Sequence, residues 1–307
     1  MPWAAWGVVV DHPSHDGPSD GAACAEGWSV TETSWGVAPD ARGEYPGEAP
    51  RIASAFPFGI WSASRPLSVP RPLLVWPAVF PVGPVPEAAG GRESEGVAVR
   101  NRAGTTGDLL GVRPYRRGDS LRRIHWPQSA RHDDLMVCEL ESRAAPRILI
   151  VLDSDPGSHA GAGPGGSFEW SIRVAASFAE DWLGQGADVR LVFGRNRVDA
   201  GCGAVEVRRS RVLDALGRLR PDATTPLAES LSASASLDVG LRIVVATDRS
   251  FRWPVPKPGR ADRYVLLQTA AFEAGGPGRG DPPSWCRPWI GIGDPGDVAG
   301  QVRRGWR

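Results

Sequence analysis

Three polar groups in this sequence fall where a strand stops or a helix starts, and each offers oxygen. Asp153 closes the apolar run 147–152, Thr224-Thr225-Pro226-Leu227 opens a helical stretch, and Thr247-Asp248 closes a second apolar run at 242–246. In an open parallel sheet ligands sit beyond the carboxyl ends of the strands, so these groups are expected on one edge. Carboxylates and hydroxyls without nitrogen or sulfur suit a hard divalent cation such as magnesium. A second concentration of chemistry is basic. Between Gly111 and Arg131 stand Arg113, Arg116, Arg117, Arg122, Arg123 and Arg131, together with Tyr115, His125, Trp126 and a Gly118-Asp119 turn. Guanidinium forks are costly to leave unpaired, so this density implies a network with carboxylates, a phosphate or a partner surface. Arginines interleaved with aromatics also offer a surface to nucleic acid. The competing expectation is structural. Tyr115, Ile124 and Trp126 would be a buried seam, Asp119 would accept from Arg122 or Arg131 in a fixed turn, and Glu139 and Glu141 would pair with other arginines.

The loop 161–166 reads Gly-Ala-Gly-Pro-Gly-Gly and satisfies G-x-G-x-x-G between a strand and a helix, the pattern of a dinucleotide site. It starts eight residues after Asp153, however, and the next strand ends Phe193-Gly194-Arg195 without an acidic residue for a ribose. A surface loop is the better expectation. No G-x-S-x-G elbow, H-E-x-x-H pair or phosphate-binding G-x-x-x-x-G-K is present. His12, His15, His125, His132 and His159 are scattered, so the sequence gives no support to catalysis.

The elements that must position these groups change texture along the 307 residues. Residues 1–85 are rich in Trp, Pro and Gly and predict a small β-rich, sandwich-like domain. Its expected strands are 6–10, 28–35 and 73–79, with turns at 12–21 and 39–47. Residues 86–108 read as an exposed linker. The segment 109–146 carries the arginine cluster and a strand at 135–140. From 147 to 307 strands (147–152, 189–193, 242–246, 264–267) alternate with helices (168–183, 212–219, 227–237). Alternation of this kind predicts an α/β fold with a doubly wound parallel sheet.

Formal net charge is zero, which removes any global attraction to polyanions. Lys257 is the single lysine among 35 basic residues, so the number of arginines says little and only their clustering counts. Cys24, Cys138, Cys202 and Cys286 lie far apart, without metal-ligand or disulfide spacing. The start lacks a secretory pattern, since Asp11, His12 and Asp16 come early. The apolar stretch 73–82 is short and interrupted by Pro77 and Pro81, so no bilayer span is expected.

The cluster resembles the signature of the domain-of-unknown-function family 58, roughly G-x-R-x-Y-x-x-G-D-x-x-R-x-I-x-W-x-x-S-A-R. Gly111, Arg113, Tyr115, Gly118, Asp119, Arg122, Ile124, Trp126, Ser129, Ala130 and Arg131 all fall in place, while Pro127 stands where the family tends to carry a basic residue. The run Phe56-Pro57-Phe58-Gly59-Ile60-Trp61 and the run 73–77 are similar to the family's β-sandwich region. The resemblance implies a von Willebrand A-like domain over 147–307 and association with a MoxR-type AAA+ ATPase. In von Willebrand A domains D-x-S-x-S, a Thr before a helix and a later Asp hold a divalent metal. Asp153, Thr225 and Asp248 match that pattern, and Asp155 and Gly157 replace its two serines.

Together these readings lead to a non-enzymatic protein-interaction module, cytoplasmic or at the cytoplasmic face of a membrane, with a MoxR-type ATPase as its partner. The cofactor expectation is none, or weakly bound magnesium at Asp153, Asp155, Thr225 and Asp248. Partner binding is expected at Phe251 and Trp253, which follow a strand directly. The alternatives are a nucleotide-binding enzyme using the loop 161–166 and a nucleic-acid binder using the arginine surface.

Overall fold

The structure, a computed structural model, describes residues 5–11, 20–26, 28, 38–56, 58–86, 109–140, 145–222, 225–237, 239–252, 254–256, 258–273, 284 and 286–305. The expected linker from 87 onward, Glu141, Thr224 and Trp253 lie outside these residues, as does nearly all of the expected strand at 28–35.

The front of the chain is antiparallel. β1 (Ala5–Asp11), β2 (Asp20–Ala25), β3 (Gly43–Tyr45), β4 (Arg51–Ser54), β5 (Ala63–Pro66) and β6 (Leu73–Val75) form two sheets, ordered β2-β1-β4-β5 and β3-β6. The expected turns at 12–21 and 39–47 thus contain the start of β2 and all of β3, and β4 and β5 went unanticipated. All are short, and Gly, Ala and Ser leave them no alternating apolar pattern to read.

Next comes a compact unit. β7 (Leu109–Pro114) pairs antiparallel with β8 (Met136–Leu140), and the helix α1 (Trp126–His132) lies between them in sequence.

The remainder is an α/β body around one six-stranded sheet. β9 (Arg147–Leu152), α2 (Ser167–Gly184), β10 (Asp188–Phe193), β11 (Asn196–Asp199), α3 (Val205–Arg218), α4 (Leu227–Ser234), β12 (Leu241–Thr247), β13 (Asp262–Leu267), β14 (Ile290–Ile292) and α5 (Val298–Gly305) follow one another. The sheet order is β11-β10-β9-β12-β13-β14, all parallel except the edge hairpin of β10 and β11. Chain direction across the sheet reverses between β9 and β12, so the crevice for a ligand is at their carboxyl ends.

Packing explains why β9 from Ile148 and β12 from Ile243 to Ala246 are apolar. Ile148, Ile150 and Leu152 of β9 face a core shared with Val174, Phe178 and Trp182 of α2, Leu213 and Leu216 of α3 and Val302 of α5. Leu149 and Val151 face the opposite side, with Leu227 and Leu231 of α4. A strand covered on both faces has no place for a polar residue. Polar or very short elements escaped the sequence reading: β11 is Asn-Arg-Val-Asp, β14 has three residues. α3 begins seven residues earlier than expected because its first turns are exposed and carry no apolar period.

Residues 76–86 cross the outside of α2 as an extended strap. Phe80, Val82 and Val85 pack into the main core, Val82 N–H donates to Asp181 Oδ2 (2.7 Å), and Trp182 Nε1 donates to Gly83 O (3.3 Å). Arg42 clamps the same face, donating to Leu219 O (2.8 Å) at the end of α3 and pairing with Glu169 (3.0 Å).

Candidate functional site: a closed sheet edge and an exposed signature

The strands deliver Asp153 and Asp248 to the switch point as expected, with both side chains buried. Each carboxylate is half satisfied by backbone. Asp153 Oδ1 accepts from Asp155 N–H (3.1 Å) and Asp248 Oδ1 from Thr269 N–H (3.0 Å). Their second oxygens are buried without a hydrogen-bond partner.

The other two expected ligands are committed elsewhere. Asp155 Oδ1 accepts from Gly157 N–H (2.9 Å), and its Oδ2 takes a short ion pair from Arg252 Nη2. Thr225 Oγ1 donates to Asp222 Oδ2 (3.4 Å). Among the described residues no group of three His, Cys, Asp or Glu side chains is arranged to hold a metal ion. As they stand, the expected four do not fit a resident divalent cation. Arg252 supplies a positive charge at this edge, paired among the described residues with Asp155 alone. A Cβ at Gly157 would collide with the Arg252 guanidinium, so the glycine in place of a serine makes room for it. Sequence reasoning missed Arg252 and Asp222. Position offered a signal for both, since Asp222 lies three residues before Thr225 and Arg252 four after Asp248; what was missed is their pairing with Thr225 and Asp155.

His159 also belongs to this edge. Its Nε2 lies 3.0 Å from Asp153 O and its Nδ1 3.3 Å from Ser167 Oγ, with Phe168 edge-on at 5.0 Å. Burial is the main cause of a pKa below the ordinary histidine value, which favours the neutral ring. Ser167 is fully buried and also accepts from Ala160 N–H (2.8 Å). The Ser-His pair therefore ties the β9 loop to the start of α2, and its hydroxyl has no approach for a substrate. The glycine loop is likewise peripheral: residues 161–165 are exposed and form a 3-10 turn at Gly163–Gly165. Phe251, expected as a surface anchor, packs toward Tyr264 (ring centroids 6.1 Å apart) on the second face of the sheet.

The signature segment divides into residues that build and residues that face out. Arg113 forks onto Asp119, Nη1 to Oδ2 at 2.7 Å and Nη2 to Oδ1 at 2.8 Å. Arg116 N–H adds a third bond to the same carboxylate (2.8 Å), and Gly118 takes the positive φ of +109° that the tight turn needs. The Arg113 bond is the largest cause of an Asp119 pKa lowered to about 2. The partner of Asp119 is thus Arg113, not the expected Arg122 or Arg131, because β7 ends beside the turn. Pro127 occupies the first turn of α1, where its missing N–H costs nothing. Ser129 is buried and receives Met136 N–H (2.9 Å), joining α1 to β8, and Ile124 bridges to Val137.

Trp126 overturns the buried-seam expectation. It is 66 % exposed, while Tyr115 and Ile124 are only partly buried. The helix has seven residues, and its inward contact comes from Ser129. Arg116, Arg117, Arg122, Ala130 and Arg131 are exposed as well.

Taken together, these features define a mixed α/β protein with a rigid signature unit placed ahead of its sheet. Residues 111–236, from the signature through α4, match the family described as Protein of unknown function DUF58, and over that stretch the chain is similar to that family. A comparison with curated proteins found no match. No described helix is long and apolar enough to cross a membrane.

Proposed function

We propose that this chain is a non-enzymatic interaction module that docks an acidic protein surface on its signature unit. One observation carries the reading: Trp126 is two-thirds exposed in a segment that also exposes Arg116, Arg117, Arg122 and Arg131. The scaffold beneath is fixed by the Arg113–Asp119 fork and by Ser129. A tryptophan with arginines on a rigid element is the usual composition of an interface anchor, and preorganisation lowers the entropy lost on docking. The strand order, with its one antiparallel edge strand, supports a von Willebrand A-like body. By family resemblance the partner class is a MoxR-type AAA+ ATPase.

The inward-turned carboxylates, the Arg252 closure and the inaccessible Ser167 favour this reading over an enzyme. The test is calorimetric titration of a MoxR-type ATPase with the parent and with Trp126→Ala. The expected result is an affinity at least about tenfold weaker, with an unchanged melting temperature. Equal affinities would overturn the proposal. Tight, steeply salt-dependent binding of single-stranded oligonucleotides without ATPase binding would favour the nucleic-acid reading instead.

A further inference from the structure

The loop between β4 and β5 exposes a run of large apolar side chains that the chain leaves uncovered. Phe56 is 58 % exposed, Phe58 81 %, Ile60 86 % and Trp61 84 %. The loop is a formed turn: Gly59 N–H donates to Ala55 O (2.8 Å) and Gly59 adopts φ +68°, which favours glycine. β4 and β5 pair from Arg51↔Pro66 to Ser54↔Ala63, so the loop is the tip of a hairpin. The same end of the sheet carries another exposed aromatic. Because Val8 pairs with Ser54 and Ala5 with Ala25, β2 ends at the side of this tip, and Trp28 follows it, 83 % exposed.

We propose that this tip inserts into the interface of an anionic lipid bilayer. Aromatic rings with an isoleucine are the composition that settles at headgroup level, where one part of the ring is apolar and the other wet. Charge favours an anionic lipid surface over a second copy of this basic hairpin, and the four large apolar side chains at the tip favour a bilayer over a polar acidic groove. From residue 49 to residue 86 there is no Asp or Glu, while Arg51, Arg65 and Arg71 are present and exposed. Arg51 and Arg65 lie three and two residues behind the loop, roughly 10 and 7 Å at strand rise, a suitable height for lipid phosphates when the tip is immersed. Asp11, opposite Arg51 in the register, Asp20, opposite Val10, and Glu26, between β2 and Trp28, are the acidic residues of β1, β2 and the residue that follows. The hairpin itself remains purely basic.

The full chain is sedimented with vesicles of phosphatidylcholine alone and with vesicles containing phosphatidylglycerol. The parent is expected to partition onto the anionic vesicles. Phe58→Ser with Trp61→Ser should weaken this at least about tenfold, because exposed rings add to lipid affinity and not to the fold. Arg65→Glu with Arg71→Glu should weaken binding to the anionic vesicles by at least about tenfold. Trp126→Ala should leave partition unchanged. As an independent reading on a nearly unaltered chain, brominated lipid should quench parent tryptophan emission more than that of Trp61→Phe. Failure of the parent to sediment with anionic vesicles overturns the proposal. So does partition indifferent to both tip and arginine substitutions, or a concentration-dependent dimer that the tip variant abolishes.

Discussion

Arg252 reaches across the end of the sheet to Asp155, and its guanidinium occupies the space that any side chain at position 157 would need. Two residues nearly a hundred positions apart thus share one cavity with a glycine. The carboxylate is buried while the guanidinium is partly open to solvent, so the pair is screened on one side only.

Arg252→Ala is expected to cost about 1 kcal/mol in urea unfolding, because Asp155 keeps its bond to Gly157 N–H. Gly157→Ser should also destabilise, by crowding Arg252. Combined, the two should cost less than their sum, since the collision disappears with the arginine. Additive losses would show that the two sites are independent. In magnesium titration the parent should bind no tighter than about millimolar, the weak end for oxygen-ligand sites. Arg252→Ala, which frees Asp155, should bind more tightly.

Asp119 governs an acid limb. Its folded pKa is about 2, below the ordinary 3.8, so the stability from its protonation difference is present above the unfolded value and is lost as pH falls from about 4 toward 2. Unfolding measured across that window should show parent stability dropping with acid and Asp119→Asn dropping less. Arg113→Lys should resemble Asp119→Asn rather than the parent, because an ammonium cannot reproduce the two-pronged contact. A lysine variant with the parent's acid limb would contradict this assignment.

Arg42→Met should cost about 2–3 kcal/mol in chemical unfolding. It keeps the apolar stem but leaves Leu216 O, Leu219 O and Glu169 without their shared donor in a largely buried place. Glu169→Gln should cost less than Arg42→Met. If it costs as much, the carbonyl contacts contribute nothing.

The body of the fold was legible because its signals are local. β9 is a continuous apolar run, and Val174, Phe178 and Trp182 recur at helical spacing on α2, so burial and period agreed. Asp153 and Asp248 were legible as strand-end residues for the same reason. The remainder depended on distance and on faces. Nothing near Asp155 in sequence indicates Arg252. The type of Trp126 is compatible with either side of a seven-residue helix, and only the contacts of Ser129 decide it. Several arginines near Asp119 were plausible donors, and the return of β7 beside the turn selects Arg113.

The strap at 76–86 has a consequence for where this protein can be cut. The family match begins at 111, after the strap, and ends at 236, before β12, β13 and β14. A fragment trimmed to those borders would retain only β9, β10 and β11 of the sheet. It would leave the strap-side surface around Trp182 bare, and β9, a central strand of the intact sheet, would become an open edge ready to recruit another chain. Such a piece should precipitate when expressed alone. A portion that keeps both the strap and the six strands therefore extends from ahead of Arg42 to the end of α5.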